Sequence, residues 1–265
     1  MSEVGEGNIE SGSILSFLKD QVGKVDASVA TNGLPFALNE AFQSSRINIL
    51  PEYTEETHGV LSKDPVLLVA THPHLLNDTF GIVGAVPPQR KDVFVTSHSM
   101  HLGLGENIAA HLIPIYDVDR QPTNNMRERL RRAFLAKDTQ YNPQQHSARK
   151  NLESIDVAKS RINEGGIVLI FPEGSGEEGA DWFSGIGEIV KRVTNPDSKV
   201  IYATTTGNEW RNRARVFSSK ARKLLGETDL HVRFSQPRSI SEFQGDITRK
   251  EITQKLRQKY HEFNQ

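Results

Sequence analysis

At 265 residues the chain is long enough for one large domain with a substantial core. Its 36% hydrophobic and 25% charged content is ordinary for a soluble globular protein, and 32 basic against 33 acidic residues leave a net charge of −1, which gives no support to nucleic-acid binding through bulk charge. There is no cysteine, which excludes disulfides, cysteine-ligated zinc and a thiol nucleophile.

The first residues, Met1-Ser2-Glu3-Val4-Gly5-Glu6, are acidic and polar, unlike a signal or transit peptide. Residues 1–12 are rich in Gly, Ser and Glu and are expected to form a disordered tail. From Ser13, apolar residues at Leu15, Leu18, Val22, Val25 and Val29 make a helical stripe, broken at Asn32-Gly33 and Pro35, with a second short helix from Phe36 to Phe42. Residues 13–45 therefore read as an N-terminal helical segment packed on the domain; its basic face is thin for a helix lying on a membrane. No apolar run approaches the ~20 residues needed to span a bilayer. The expectation is a cytoplasmic protein, with loose attachment to the inner face of a membrane as the variant of it. Asn77-Asp78-Thr79 matches a glycosylation sequon, but without a secretory signal it carries no weight.

Residues 46–265 read as one α/β domain. Ile47 to Leu50 and Val66 to Ala70 read as strands, and Thr79 to Val86 as a helix ended by Pro87-Pro88. Asp92 to Thr96 is the next strand, Gly105 to His111 a short helix and Leu112 to Tyr116 another strand. Residues 121–146 are polar, with Arg127, Arg129, Arg131 and Arg132, and read as an excursion or lid. Ser147 to Asn163 is an amphipathic helix with Leu152, Ile155, Ala158 and Ile162 on one face, ended by Gly165-Gly166 before the strand Ile167 to Ile170. A helix over Phe183 to Val193, strands over Val200 to Thr204 and His231 to Phe234, and a final helix over Thr248 to Glu262 complete the reading. Strand–helix alternation of this kind predicts an α/β fold: a central, mostly parallel sheet with helices on both faces and the N-terminal helical segment added.

Two segments stand at strand ends, where an open α/β sheet holds its chemistry. The first is His72-Pro73-His74-Leu75-Leu76-Asn77-Asp78, after Val66 to Ala70; the second is Phe171-Pro172-Glu173-Gly174-Ser175, after Ile167 to Ile170. Histidine is suited to exchange a proton near neutral pH, and a carboxylate accepting its second ring N–H holds it in one tautomer. A tight strand-to-helix turn lets Asp78 fold back to His72. His74, four positions before Asp78, is a rival partner on one helical face, and a plain alternative is that Asp78 is the N-cap of the Thr79 helix. Glu173 is suited to accept hydrogen bonds from substrate hydroxyls or to anchor its loop; the plainer alternative is a turn with a solvated carboxylate. Gly174 permits close approach of a substrate to the backbone. His72-x-His74 also suits one side of a zinc site, with His98 and His101 as recruits, giving a metal-dependent hydrolase as an alternative. A His-x-His-x-Asp-His pattern would continue with Asp and His, however, and Leu76 and Asn77 stand there. Gly103-x-Gly105 lacks the third glycine and the preceding strand of a dinucleotide signature.

Taken together and in this order, the segments resemble the glycerolipid acyltransferase family, the 1-acylglycerol-3-phosphate acyltransferase-like proteins. The family's first motif is a His and an Asp separated by four residues. Here five intervene, as in a branch of the form His-Pro-Asn-x-x-x-Asp, with His72-Pro73 matched and His74 in place of the Asn. Phe171 to Ser175 matches the Phe-Pro-Glu-Gly-Thr/Ser motif, and Phe183-Ser184-Gly185-Ile186-Gly187 its usual continuation. Ile113-Pro114-Ile115-Tyr116 resembles the second motif, but Asp117 stands where the family has Arg, and Arg120 follows three residues later. Val200 to Thr205 resembles the fourth motif without its Pro. The resemblance covers roughly residues 45–245 and implies acyl transfer; no metal is expected, because no ligand set beyond His72 and His74 is visible, and no cofactor is expected. It implies His72 as general base and Asp78 as its orienting partner. Glu173, Gly174 and Ser175 would line the acceptor site, with Arg120 and His74 as further substrate contacts. It implies acyl-CoA or acyl-carrier protein as donor, a lipid or glycerol-phosphate-like acceptor, peripheral membrane contact and a place in phospholipid biosynthesis. Gly176-Glu177-Glu178 is acidic where relatives that bind a phosphate are commonly basic, so a phosphate on the acceptor would be held by Arg120 or the 127–132 stretch, or be absent. A catalytically silent lipid-binding relative, marked by the altered second motif, is the other alternative.

Overall fold

The structure is a computed structural model that describes residues 11–71, 76–116, 144–173, 181–207 and 226–265. Among these residues it holds one sheet. In chain order the strands are β1 (Ile47–Glu52), β2 (Val66–Ala70), β3 (Val93–His98), β4 (Leu112–Ile115), β5 (Ile167–Ile170), β6 (Lys199–Thr206), β7 (Thr228–Phe234) and β8 (Arg238–Ser239). The helices are α1 (Ser11–Asn32), α2 (Leu34–Ser44), α3 (Glu55–Lys63), α4 (Leu76–Gly84), α5 (Glu106–Ala109), α6 (Gln144–Asn163), α7 (Gly185–Arg192) and α8 (Arg249–Asn264), with 3₁₀ turns at Ser99–Leu104 and Ile240–Phe243.

Strand order across the sheet is β1-β7-β6-β2-β5-β3-β4, with β8 beside β6. The five strands from β6 to β4 are mutually parallel. β7 and β8 pair antiparallel to β6, and β1 pairs parallel to β7, so the sheet is mixed on one flank. The central strand β2 is buried on both faces, as a run of five apolar residues without alternation requires. Its side chains feed two cores. Val66, Leu68 and Ala70 meet α1 to α4 through Val29, Leu38, Phe42, Leu61, Ile82 and Val83. Leu67 and Val69 meet α6 to α8 through Ala158, Ile162, Ile186, Ile189, Ile252 and Leu256. Helices therefore cover both faces.

Two close approaches fix helices that bear on the functional edge. A Cβ on Gly81 would lie 2.5 Å from Leu230 Cδ2, so α4 rests directly on β7. A Cβ on Gly187 would collide with the Arg249 carbonyl oxygen, so α7 and the start of α8 touch backbone to backbone. The N-terminus of α8 carries a reciprocal cap: Thr248 Oγ1 accepts from the Glu251 N–H at 3.3 Å and Glu251 Oε2 accepts from the Thr248 N–H at 2.7 Å.

The expected stripe on α6 is turned. Ala158 and Ile162 are buried, but Leu152 is half exposed and Ser154 is buried in its place. Ser154 Oγ donates to the Pro114 carbonyl, and Asn151 brackets Tyr116 by accepting from its N–H and donating to its carbonyl, both at 2.8 Å. Polar ties to β4 thus set the rotation of α6 near its start. Pro114 is tolerated because β4 is the last strand of the sheet, where one backbone N–H needs no ladder partner.

Candidate functional site

Because β6, β2, β5 and β3 run in one direction, their C-terminal ends share one edge. Thr71 leaves β2 there and leads into His72, Phe171-Pro172-Glu173 leaves β5, Ser99 leaves β3, and Thr205 stands near the end of β6. Register places Val69 beside Ile170 and Ala70 beside Ala203, so the exits of β2 and β5 and the last residues of β6 lie side by side.

Asp78 is the best defined of the candidate groups. Its helix begins at Leu76, so Asp78 lies in the first turn and is not the N-cap. It sits three residues before Gly81, on the sheet-facing side of α4, and it is fully buried. Thr205 Oγ1 donates to Asp78 Oδ1 at 2.7 Å. A carboxylate removed from water is tolerated only when hydrogen-bonded, and the hydroxyl supplies one such bond. Ionised, the group has about four acceptor sites, so a threonine and an imidazole N–H are compatible partners for it.

Glu173 stands in a turn, but its carboxylate is not solvated: it is 6% exposed. The segment that follows is closed at its base, where the Phe183 N–H donates to the Pro172 carbonyl at 2.8 Å. Phe183 itself is the most exposed large apolar side chain among the described residues. At the end of β3 and in the 3₁₀ turn that follows, Ser97 Oγ and His101 Nδ1 are paired at 2.6 Å, and the His98 and His101 rings meet edge to face at 6.4 Å. No group of three or more His, Asp or Glu side chains suited to a metal ion is found among the described residues. No helix among them is long and apolar enough to cross a membrane.

His72, His74, Gly174, Ser175 and Arg120 lie outside the described residues, as do Asp117 and the stretch from 121 to 143. Of the candidate site residues, the structure therefore describes Asp78 and Glu173, and both are buried beside the same sheet edge. Four further residues bear on that edge. Thr205 holds Asp78 and was visible in the sequence only as a strand end. Tyr260 pairs its hydroxyl with Thr71 Oγ1 at 2.7 Å. Trp182 packs on the Tyr260 ring at 5.5 Å between centroids. Tyr202 joins them, its ring 6.0 Å from Tyr260 and its buried hydroxyl without a hydrogen-bond partner among the described residues. Burial pushes the Tyr202 phenol well above its ordinary value, so it stays neutral.

No family model matches the chain, and no curated protein matches it in sequence. Among solved structures it is similar to the crystal structure of the 1-acyl-sn-glycerophosphate (LPA) acyltransferase, PlsC, from Thermotoga maritima, at 12% identity, with a TM-score of 0.44, over 97% of this chain and 83% of that one. A likeness this loose carries no argument about reaction or residues. The α/β class rests on the strand directions and the two helical layers themselves.

Proposed function

We propose that the chain is an O-acyltransferase that moves a fatty acyl group from a thioester, acyl-CoA or acyl-carrier protein, to a hydroxyl of a glycerolipid-type acceptor. The observation that carries the reading is the fully buried Asp78, held by Thr205 at the sheet edge from which the His72 segment and the Phe171-Pro172-Glu173 segment both leave. The chemistry belongs to residues 46–265, with residues 13–45 as a helical segment and residues 1–12 as a tail whose last two residues already belong to α1, which begins at Ser11.

In this reading His72 takes the proton of the acceptor hydroxyl as its oxygen attacks the thioester carbonyl. The C–O bond forms, the carbonyl becomes a tetrahedral oxyanion stabilised by hydrogen-bond donors, and its collapse breaks the C–S bond. The departing thiolate recovers the proton from the imidazolium. Asp78 accepts the second ring N–H, fixes the tautomer and supports the positive ring. Glu173, Gly174 and Ser175 line the acceptor site, with His74 beside them. A phosphate on the acceptor falls to Arg120 or the 127–132 arginines, because Glu177 and Glu178 would repel it. Binding of a lipid acceptor implies contact with a membrane surface.

Incubation with labelled acyl-CoA or acyl-carrier protein and a panel of hydroxyl acceptors tests the proposal. Label recovered as an acceptor ester supports it; label recovered only as free fatty acid indicates a hydrolase, and unconverted donor a silent binder. A companion expectation concerns metal, since the sequence offers no ligand set beyond His72 and His74. Elemental analysis of protein purified without added metal should find no stoichiometric zinc. A full equivalent, lost together with activity on chelation, would favour the metal-dependent hydrolase.

A further inference from the structure

The segment that carries His72 is bracketed by two residues that are each held by a hydroxyl from elsewhere in the chain. At its far end Asp78 is held by Thr205. At its near end Thr71, the residue directly before His72, is held by Tyr260. Tyr260 comes from α8, beyond the region in which the sequence resembles an acyltransferase, and it is 4% exposed.

We propose that Tyr260 is a positioning residue for the candidate base: its hydroxyl fixes Thr71 and so the origin of the His72 segment, while its ring fixes the return of the Pro-Glu-Gly segment. Three observations carry this. Thr71 Oγ1 and the Tyr260 hydroxyl are paired at 2.7 Å, across 189 residues of chain. Trp182, close to the end of the segment that begins at Glu173, packs on the Tyr260 ring, and its buried indole N–H has no hydrogen-bond partner among the described residues, so packing is its visible role there. One turn earlier on α8, Arg257 binds Asp181 at 2.9 Å, tying the same segment to the same helix. α8 thus touches the exit of β2 and the return of the segment that leaves β5 from one side of the sheet, while α4 and Thr205 act from the other.

The chemical consequence follows from geometry. A base that must meet both a substrate hydroxyl and a fixed carboxylate loses rate steeply when its backbone origin shifts, by up to about 10²-fold for a displacement of about 1 Å. The inference rests on the acyltransferase reading for its kinetic readout, but not for its spectroscopic one. Tyr260→Phe keeps the ring and removes only the hydroxyl. We expect kcat for transfer to fall on the order of ten- to hundredfold with KM changed less than about twofold, as for loss of alignment rather than of binding. The His72 ring resonance, assigned by its loss in His72→Ala, should shift its titration midpoint, and the melting temperature should stay within a few degrees. Thr71→Val should reproduce the kinetic loss, and the double variant should be no worse than either single one, because the two residues share one hydrogen bond.

If wild type transfers acyl groups and Tyr260→Phe matches it in kcat and in the His72 titration, the positioning role is wrong. If kcat falls only in step with the melting temperature, with His72 titrating as in wild type, Tyr260 is a packing residue and the proposal is overturned. If wild type transfers nothing but Tyr260→Phe still moves the His72 titration, the positioning role stands and the acyltransferase reading is what fails.

Discussion

Asp78→Asn is expected to reduce acyl transfer by a factor on the order of 10⁴, the scale of the equivalent change in a serine-protease triad, while leaving the protein folded. The amide has the carboxylate's shape, and Thr205 Oγ1 still finds an oxygen to donate to, so the contact at 2.7 Å survives. What disappears is the negative charge that the proposed mechanism sets against the His72 imidazole. The amide can also present its NH₂ group to the ring, which selects the tautomer that cannot act as base toward the substrate. Because Asp78 is fully buried, no water stands in for the lost charge. Circular dichroism and kcat on the same preparation check the result. A variant that keeps more than about a tenth of wild-type kcat removes Asp78 from the catalytic machinery and leaves it a structural acid of α4.

Arg90→Ala is expected to give the largest loss of stability at a single position on the opposite edge of the sheet. Arg90 is 4% exposed although charged. Its guanidinium holds both oxygens of Asp92, at 2.6 and 3.2 Å, and also donates to the carbonyls of Leu61, Asp64 and Gly165. Those carbonyls belong to the end of α3, the entrance to β2 and the turn before β5, so one side chain joins three elements. Truncation strands the carbonyls and opens a void among them. A loss of about 3 kcal/mol or more is expected by denaturant titration, from hydrogen bonds to a charged group worth roughly 1.5–3 kcal/mol each, offset in part by rehydration of the half-exposed Asp92. Arg90→Lys should recover only part of this, because an ammonium cannot hold a carboxylate and three carbonyls in one plane. The residual folded protein should keep its kcat, since these contacts lie away from the functional edge. A loss under about 1 kcal/mol contradicts the assignment.

The parts of the fold legible in the sequence are those set by local pattern. Val66 to Ala70 and Ile167 to Ile170 are apolar without interruption because both faces of β2 and β5 are covered, and such runs announce themselves. The last helix was marked by Ile252, Leu256 and Tyr260, all buried as the spacing requires. α3 was not announced by periodicity, since Val60 and Leu61 are its only buried large apolar residues. Its signal is a cap: Thr54 Oγ1 accepts from the Thr57 N–H at 3.1 Å, and Glu55 and Glu56 favour the positive end of the helix. The antiparallel entry of β7 beside β6 was not legible, because strand direction depends on the route of the connecting chain and not on the strand's own residues.

At the site the same division holds. Asp78 and Glu173 were legible as candidate residues just beyond the ends of β2 and β5, and their placement there is what the structure describes. Their burial was not legible: a glutamate in a Pro-Glu-Gly turn reads as solvated until the neighbouring strands are known. Thr205 and Tyr260 carry no local signal for their contacts, since the partners lie 127 and 189 residues away. Tyr260 was visible only as one more member of an apolar stripe.

The central claim is that His72 drives transfer of an acyl group to a hydroxyl acceptor. It is tested most directly by the time course of labelled acyl ester formation by wild type, His72→Ala and His74→Ala, on a donor and acceptor that wild type accepts. His72→Ala should lose nearly all transfer with its fold intact, and His74→Ala should lose much less, through loop packing or acceptor contacts. If His74→Ala is the inactive variant while His72→Ala turns over, the compact His74–Asp78 pair is the real one and the assignment of the base is contradicted.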